Sequence, residues 1–238
     1  QGSKNIQAGI ASTGLVADPL ALRVLTPDVG GSFGMKITAY PEYVAVLFAA
    51  KALSRPVTWF ADRAESFLCD GAARDHVMYG ELALDANGRF LGVRGRVVSN
   101  TGAYTSASAI TIPSTGGSRC ITGLYEIACY HLESRVAFTN TVPVVAYRGA
   151  GKPEFTYFIE CLVDAAARET GRDRAELRRL NIIGTVPYTS PVGLVFDSGE
   201  FEKNLDDALA LTDRAGFEAR RKAAGARGKL LGYGLSVY

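Results

Sequence analysis

Only two histidines and four cysteines occur in 238 residues, and no two of the cysteines form a CxxC pair. Zinc and iron–sulfur sites draw their ligands from such pairs and from histidine, so neither is signalled. Cys69, Cys120, Cys129 and Cys161 read as reduced packing residues. Long apolar runs are missing as well. Nothing approaches the roughly 20 residues of a membrane span, and no basic-then-apolar signal segment opens the chain. A soluble, cytoplasmic protein is expected. Charge of one sign is not concentrated anywhere: 26 basic residues against 24 acidic ones leave a net +2 spread along the chain. Nucleic acid is therefore a poor default partner. Internal repeats and low-complexity segments are absent.

What is present is a hydrophobic share of 47%, enough to bury the core of one large domain or two lobes. Residues 5–17 predict a short helix, which Asp18 and Pro19 break. ALRVLTPDV then alternates as a strand running into Gly30 and Gly31, and PEYVAVLFAAKAL, apolar nearly all round with Pro41 at its start, predicts a buried helix. RPVTWFADR reads as a further strand. A hairpin is expected around the Asp-Ala-Asn-Gly turn at 85–88, and residues 106–118 suit a loop. YEIACYHLESRVAFTN resumes strand patterning until Pro143. A helix opens at Pro153 or Glu154 and stops at Gly171, and a second follows with an Asp173 cap and Glu176 three residues on. A loop over 184–200 leads to an amphipathic helical hairpin, and KLLGYGLSVY ends the chain as an apolar run of strand type. Strands early and helices late imply an α+β fold with mixed sheets and packed helices. The start at Gln1, which is not methionine, and the stop at Tyr238 inside that apolar run make both ends look cut.

Two glycine-bearing loops carry the chemistry. In VGGSFGMK, Gly30, Gly31 and Gly34 free the backbone for positive φ and for close approach to a ligand around Ser32 and Phe33. The pattern is neither GxGxxG nor a P-loop, since no Ser or Thr follows Lys36; tight turn and anion cradle both remain open. AYRGAGKPE repeats the logic: Ala146, Tyr147, Arg148, Gly149, Ala150 and Gly151 precede a helix whose positive end points back toward the loop. Here too the bland reading stands beside the functional one, with the glycines only turning the chain and Arg148 pairing with a surface carboxylate. Glu154, after the second loop, reads as a helix-start residue.

Taken together, GGSFGMK, PEYVAVLFAAKAL, RPVTWFADR, NTGAY, FTNTVPVVAYRGAGKPE and DRAELRRLNII resemble the xanthine oxidase family of molybdenum hydroxylases, in its molybdopterin-binding large subunit. Similarity is strongest to the branch of carbon monoxide dehydrogenase large chain-like and aldehyde oxidoreductase-like proteins, in which a basic residue, here Lys152, follows AYRGAG. The resemblance implies the molybdenum cofactor-binding fold of the aldehyde oxidase and xanthine dehydrogenase type. It also implies molybdopterin, or its cytosine dinucleotide, with the metal held by the pterin dithiolene and by no protein side chain. Iron–sulfur clusters and FAD would sit on partner subunits or domains. The amides around Phe33 and Gly34 would approach the metal's oxygen ligands, and the backbone at Arg148 and Gly149 would form a second wall. Gln1, before Gly2, sits where the family carries a glutamine that hydrogen-bonds to a molybdenum oxygen, unless it is merely a chain end. Residues 1–183 would be a first cofactor-binding domain, 184–228 a connector and 229–238 the start of a second domain.

Departures narrow the expectation. Carbon monoxide oxidisers carry Cys-Ser-Phe where this chain has Gly149, Ala150 and Gly151, which speaks against CO oxidation. Purine oxidisers carry a glutamate where Ile37 stands, which speaks against purines. No residue here matches the family's catalytic glutamate, which belongs to a later segment, so the chain by itself should be inactive. Hydroxylation of an aldehyde or N-heteroaromatic by the intact subunit, with water as oxygen source, remains. Two other classes share the same loops: a stand-alone phosphate- or nucleotide-binding module, and a structural or assembly domain.

Overall fold

Asp85 organises a tight turn. Its Oδ1 accepts the amides of Asn87 and Arg89, both at 2.8 Å, and the turn closes the antiparallel hairpin of β1 (His76–Leu84) and β2 (Phe90–Gly102). β2 is the middle strand of a three-stranded sheet completed by β3 (Cys129–Phe138). In this computed structural model residues 2–106 and 108–238 are described; Gln1, one of the candidate site residues, lies outside them. The chain forms two compact units that each draw on separated stretches: residues 1–75, 100–110 and 138–150 in the first, and 76–99, 111–137 and 151–238 in the second.

In the first unit, α1 (Ser3–Ala11) presents Ile6 and Ile10, which pack with Leu22. α2 (Pro41–Leu53) has the bounds its sequence predicts, yet it is not the buried helix expected. Only the stripe of Tyr43, Val44 and Leu47 meets the small cluster on α1, while Phe48 and Leu53 face outward. Two expected strands are absent among the described residues. Over 21–29 the alternation is real, since Leu22 and Val24 turn inward. The segment, however, packs on a helix and pairs with no neighbouring strand; Gln7 Nε2 takes the Leu22 carbonyl at 2.6 Å. Residues 55–62 are extended without a ladder and end at Asp62, which caps α3 (Arg63–Cys69) through the Glu65 amide. The first helix is also shorter than 5–17 suggested: its last amides are followed by turns closed by Thr13 and Gly14.

The second unit holds the main core. α4 (Lys152–Thr170) packs on β1, and its Phe155, Phe158, Ile159 and Val163 join Phe90, Val93 and Val97 of β2 with Ile121, Tyr125 and Leu177. Burial of this apolar surface is the dominant favourable contribution to the unit. α5 (Arg174–Asn181) starts as predicted, with Asp173 accepting the amides of Ala175 and Glu176. Two polar residues of α5 are sealed inside. Asn181 accepts the Phe90 amide at 2.8 Å and donates to the carbonyls of Gly88 and Leu177 at 2.9 Å, so it pins the hairpin turn. Arg178, fully buried, donates to Glu160 at 2.8 and 2.9 Å, to Asp164 at 2.9 Å and to the Leu235 carbonyl at 3.1 Å. The Tyr125 hydroxyl takes the remaining oxygen of Glu160. The loop predicted over 106–118 contains a π turn, Ile112–Gly116, because the Gly116 and Gly117 amides reach back to the Thr111 and Ile112 carbonyls. The loop over 184–200 contains a small hairpin, β4 (Tyr188–Thr189) with β5 (Val195–Phe196). α6 (Phe201–Leu211) and α7 (Phe217–Gly225) form the helical hairpin expected, whereas 229–238 forms no strand among the described residues; its Leu235 carbonyl is spent on Arg178. No described helix is long and apolar enough to cross a membrane.

Replacing Arg178 by Met leaves Glu160 buried without its cation, and breaking such a pair costs about 3–5 kcal/mol. Chemical denaturation of the Arg178→Met protein should show a loss of this order; a midpoint equal to that of the parent would contradict the assignment.

Candidate functional site

The two glycine loops contribute to one structure in the first unit. The Arg148 amide donates to the Phe33 carbonyl at 2.8 Å, tying AYRGAG to GGSFG. Phe33 pays for this with φ of 49°, a left-handed conformation that a bulky aromatic side chain rarely adopts and that costs on the order of 1–3 kcal/mol. Its neighbour Gly34 has φ of 98°, and a Cβ built there would stand 2.9 Å from the Ala146 carbonyl oxygen and 3.2 Å from the Tyr147 Cα. Any side chain at 34 would therefore drive the loops apart. Gly30, by contrast, faces open space, with nothing within 4 Å of a Cβ placed on it. Ser32 is buried, and Phe33 keeps half of its surface exposed.

Side chains around the loops fix their ends. Lys36 Nζ lies 2.5 Å from Asp70 Oδ1, which also accepts from the Tyr40 hydroxyl at 2.9 Å; Tyr40 in turn lies within 3.3 Å of the Met35 carbonyl. Burial, and then the adjacent Asp70, push the Tyr40 phenol well above its ordinary range, so it remains a proton donor. Arg74 donates to the Arg148 carbonyl and stacks its guanidinium 4.9 Å from the centre of the Tyr147 ring. A cavity of about 560 Å³ opens beside Met35 and Tyr40, walled by Gly71, Ser106 and Val145.

Placement of the predicted residues is as follows. Gly30, Gly31, Ser32, Phe33 and Gly34 come together with Ala146, Tyr147, Arg148, Gly149 and Ala150 in the first unit, while Gly151 belongs to the second as the residue preceding α4. Gly151 has φ of 90°, and a Cβ on it would stand 2.6 Å from the Cα of Gly117. Arg148 pairs with no carboxylate among the described residues. Glu154 is a first-turn residue of α4, as expected. Sequence reading missed Arg74, Asp70, Tyr40 and Gly117. The first three are single residues without a motif; Gly117, in a paired glycine, was the one with a signal.

An anionic group that approaches through backbone amides needs a loop without obstructing Cβ atoms, a cation nearby and a rigid support. The open face at Gly30, the guanidinium of Arg148, unpaired among the described residues, and the strained turn at Phe33, held by the Arg148 amide, meet those needs. No three His, Cys, Asp or Glu side chains cluster as a metal site among the described residues.

Comparison with known proteins gives this geometry a context. The molybdopterin cofactor-binding domain family matches residues 1–182. The chain is 36% identical to the carbon monoxide dehydrogenase large chain of Hydrogenophaga pseudoflava over 91% of its own length and 28% of that protein's. It is 33% identical to the nicotine 6-hydroxylase large subunit of Paenarthrobacter nicotinovorans over 90% of its length and 27% of that protein's. Among solved structures, quinoline 2-oxidoreductase from Pseudomonas putida 86 superposes with a TM-score of 0.87 at 31% identity, over 95% of this chain and 29% of that one. The chain thus spans under a third of the relatives it matches.

The Gly34→Ala protein must move the Ala146 carbonyl and bear a positive φ on alanine, at a cost of about 1–3 kcal/mol. Limited proteolysis should cut the loop at 30–36 or 146–150 faster than in the parent. Unchanged cutting rates at both loops would count against the close approach.

Proposed function

The chain belongs to the molybdopterin cofactor-binding family of molybdenum hydroxylase large subunits, and on that premise we propose that its two glycine loops bind the pterin cofactor in a subunit that hydroxylates an aldehyde or N-heteroaromatic. The observation that carries this reading is the hydrogen bond from the Arg148 amide to the Phe33 carbonyl. It joins the loops into one amide-lined wall without protein ligands to a metal.

In this reading the backbone at Gly30, Gly31, Ser32, Phe33, Gly34, Ala146, Tyr147 and Gly149 faces the cofactor's oxygens, Arg148 and Ala150 shape the second loop because their amides are held by the Phe33 and Tyr147 carbonyls, and the Arg148 side chain offsets the cofactor's negative charge. Gln1 would complete the set from the chain's start. When bound, the cofactor supplies two-electron redox chemistry, and water supplies the oxygen: R–H and H2O give R–OH, two protons and two electrons. The chain's own residues orient and enclose; the base that takes a proton is a glutamate in a later segment, so residues 1–238 alone are inactive. The cofactor is molybdopterin or its cytosine dinucleotide. Electrons leave through iron–sulfur and flavin partners. Residues 1–183 constitute the first cofactor-binding domain, 184–228 a connector and 229–238 the start of the next domain.

Support for a ring substrate comes from the relatives named for nicotine and quinoline chemistry. Gly149, Ala150 and Gly151 stand where a CO oxidiser would carry Cys-Ser-Phe, and Ile37 stands where a purine oxidiser would carry a glutamate.

Metal analysis of the complete subunit tests the reading. Parent protein should carry molybdenum, and Gly34→Asp, which drives the two loops apart, or Gly149→Asp, which puts a charged side chain at a φ of 91° on the second loop, should lose most of it. Normal molybdenum content in both variants would refute the loop assignment.

A further inference from the structure

The backbone of Arg148 is gripped on both sides by strained residues of the same unit. Its amide donates to the carbonyl of Phe33, and its carbonyl accepts from the guanidinium of Arg74. Phe33 has φ of 49° and Arg74 φ of 61°, so both holders lie in the left-handed region that few residues other than glycine enter. The segment carrying Arg74 is itself fixed against the approach to the second loop. The Ala72 amide donates to the Pro143 carbonyl at 3.1 Å, the Val145 amide donates to the Ala72 carbonyl at 2.8 Å, and a Cβ on Gly71 would stand 2.6 Å from Val145 Cγ1. At the far end of the side chain, the Tyr147 ring keeps the guanidinium in place, 4.9 Å from the ring centre.

What Arg74 holds decides which way one amide points. The Ala150 amide donates to the Tyr147 carbonyl at 2.7 Å and closes a four-residue turn, in whose third position Gly149 has φ of 91°. A positive φ there, with Arg148 outside the left-handed region, is the type II arrangement. Type I and type II turns share the closing hydrogen bond and differ by a flip of roughly 180° in the central peptide, here the one joining Arg148 to Gly149. Glycine tolerates both forms. Because C=O and N–H point opposite ways across a trans peptide, a donor that pins the Arg148 carbonyl also pins the direction of the Gly149 amide. The bond from the Arg148 amide to Phe33 lies in the preceding peptide and does not choose between the forms. No group among the described residues takes the Gly149 amide. A cation on the carbonyl side also polarises this peptide, which makes its N–H a stronger donor to an anion.

We propose that Arg74 is a positioning residue of the cofactor site: it locks the turn at 147–150 in the type II form and so presents the Gly149 amide to an oxyanion of the bound cofactor. The inference rests on the reading above that the glycine loops face that cofactor. Arg74 acts through one peptide and needs no contact with the ligand.

In the complete, cofactor-loaded enzyme, the molybdenum retained by the protein is followed over time for the parent and for Arg74→Lys, Arg74→Gln and Arg74→Leu. Lysine keeps a charged donor for the carbonyl, glutamine a neutral one and leucine none. Release should stay near the parental rate in Arg74→Lys, rise moderately in Arg74→Gln and be on the order of tenfold faster in Arg74→Leu, which lacks the charge-assisted hydrogen bond. Gly149→Ala, which disfavours the type II form, should also speed release. Adding Arg74→Leu to it should then change little, because both substitutions act on the same peptide. Limited proteolysis across 146–150 should stay at the parental rate in Arg74→Leu, since the Phe33 carbonyl still holds the Arg148 amide. Three results would each overturn the inference: Arg74→Leu retaining molybdenum as well as Arg74→Lys, losses that add in the double variant, or cutting that rises in step with release, which makes Arg74 a brace and nothing more. A parent enzyme without molybdenum overturns the earlier reading and this one with it, whereas a loaded parent with indistinguishable variants overturns this one alone.

Discussion

A single backbone hydrogen bond, from the Arg148 amide to the Phe33 carbonyl, is the constraint on which the candidate site depends. By itself such a bond contributes only about 0.5–1.5 kcal/mol. It acts here together with a steric condition, since Gly34 must lack a Cβ for the Ala146 carbonyl to come so near. Bond and condition together hold Phe33 in a conformation that it would leave if released. Strain of this kind persists only where surrounding contacts over-determine it, and the contacts from Arg74 to the Arg148 carbonyl and from Lys36 to Asp70 are of that sort.

The second unit is built on a different economy. Arg178 carries a full charge into a dry interior, where desolvation is severe and is offset only by several well-directed partners. Glu160 and Asp164 lie one turn apart on α4, so a single helix face supplies both carboxylates. Because Arg178 lies on α5 and the same guanidinium takes the Leu235 carbonyl, one side chain fixes α4, α5 and the end of the chain together. Asn181, one turn further on, does the same for the hairpin turn at 85–88.

Much of this was legible in the sequence where local chemistry decides. Asp173 as a cap, Gly171 as a stop, Pro41 at a helix start and the Asp85 turn each act within a few residues, and the structure has them there. Segments decided by distant partners were not legible. Residues 21–29 alternate as a strand does, yet what lies beside them is α1 and not another strand. α2 is apolar all round, which reads as burial, but burial also needs surroundings, and in these 238 residues only one stripe has them. For the site, glycines and the resemblance located both loops; the residues that brace them, Arg74 and Asp70, occur as isolated charges that no spacing distinguishes from solvated surface.

The interleaving of the two units bears on how such a chain is made. Synthesis proceeds from the N-terminus, and the first unit cannot close until residues 138–150 have been added, long after GGSFG has emerged. Until then Phe33 has no Arg148 amide to hold it and no reason to stay left-handed. The second unit waits longer still, since Leu235 is the last partner Arg178 acquires. Loop closure over such separations is slow compared with helix formation, so α1, α2 and α3 form before the glycine loops meet. The contact between the two loops is thus set by the arrival of Arg148 and does not exist while GGSFG alone has emerged.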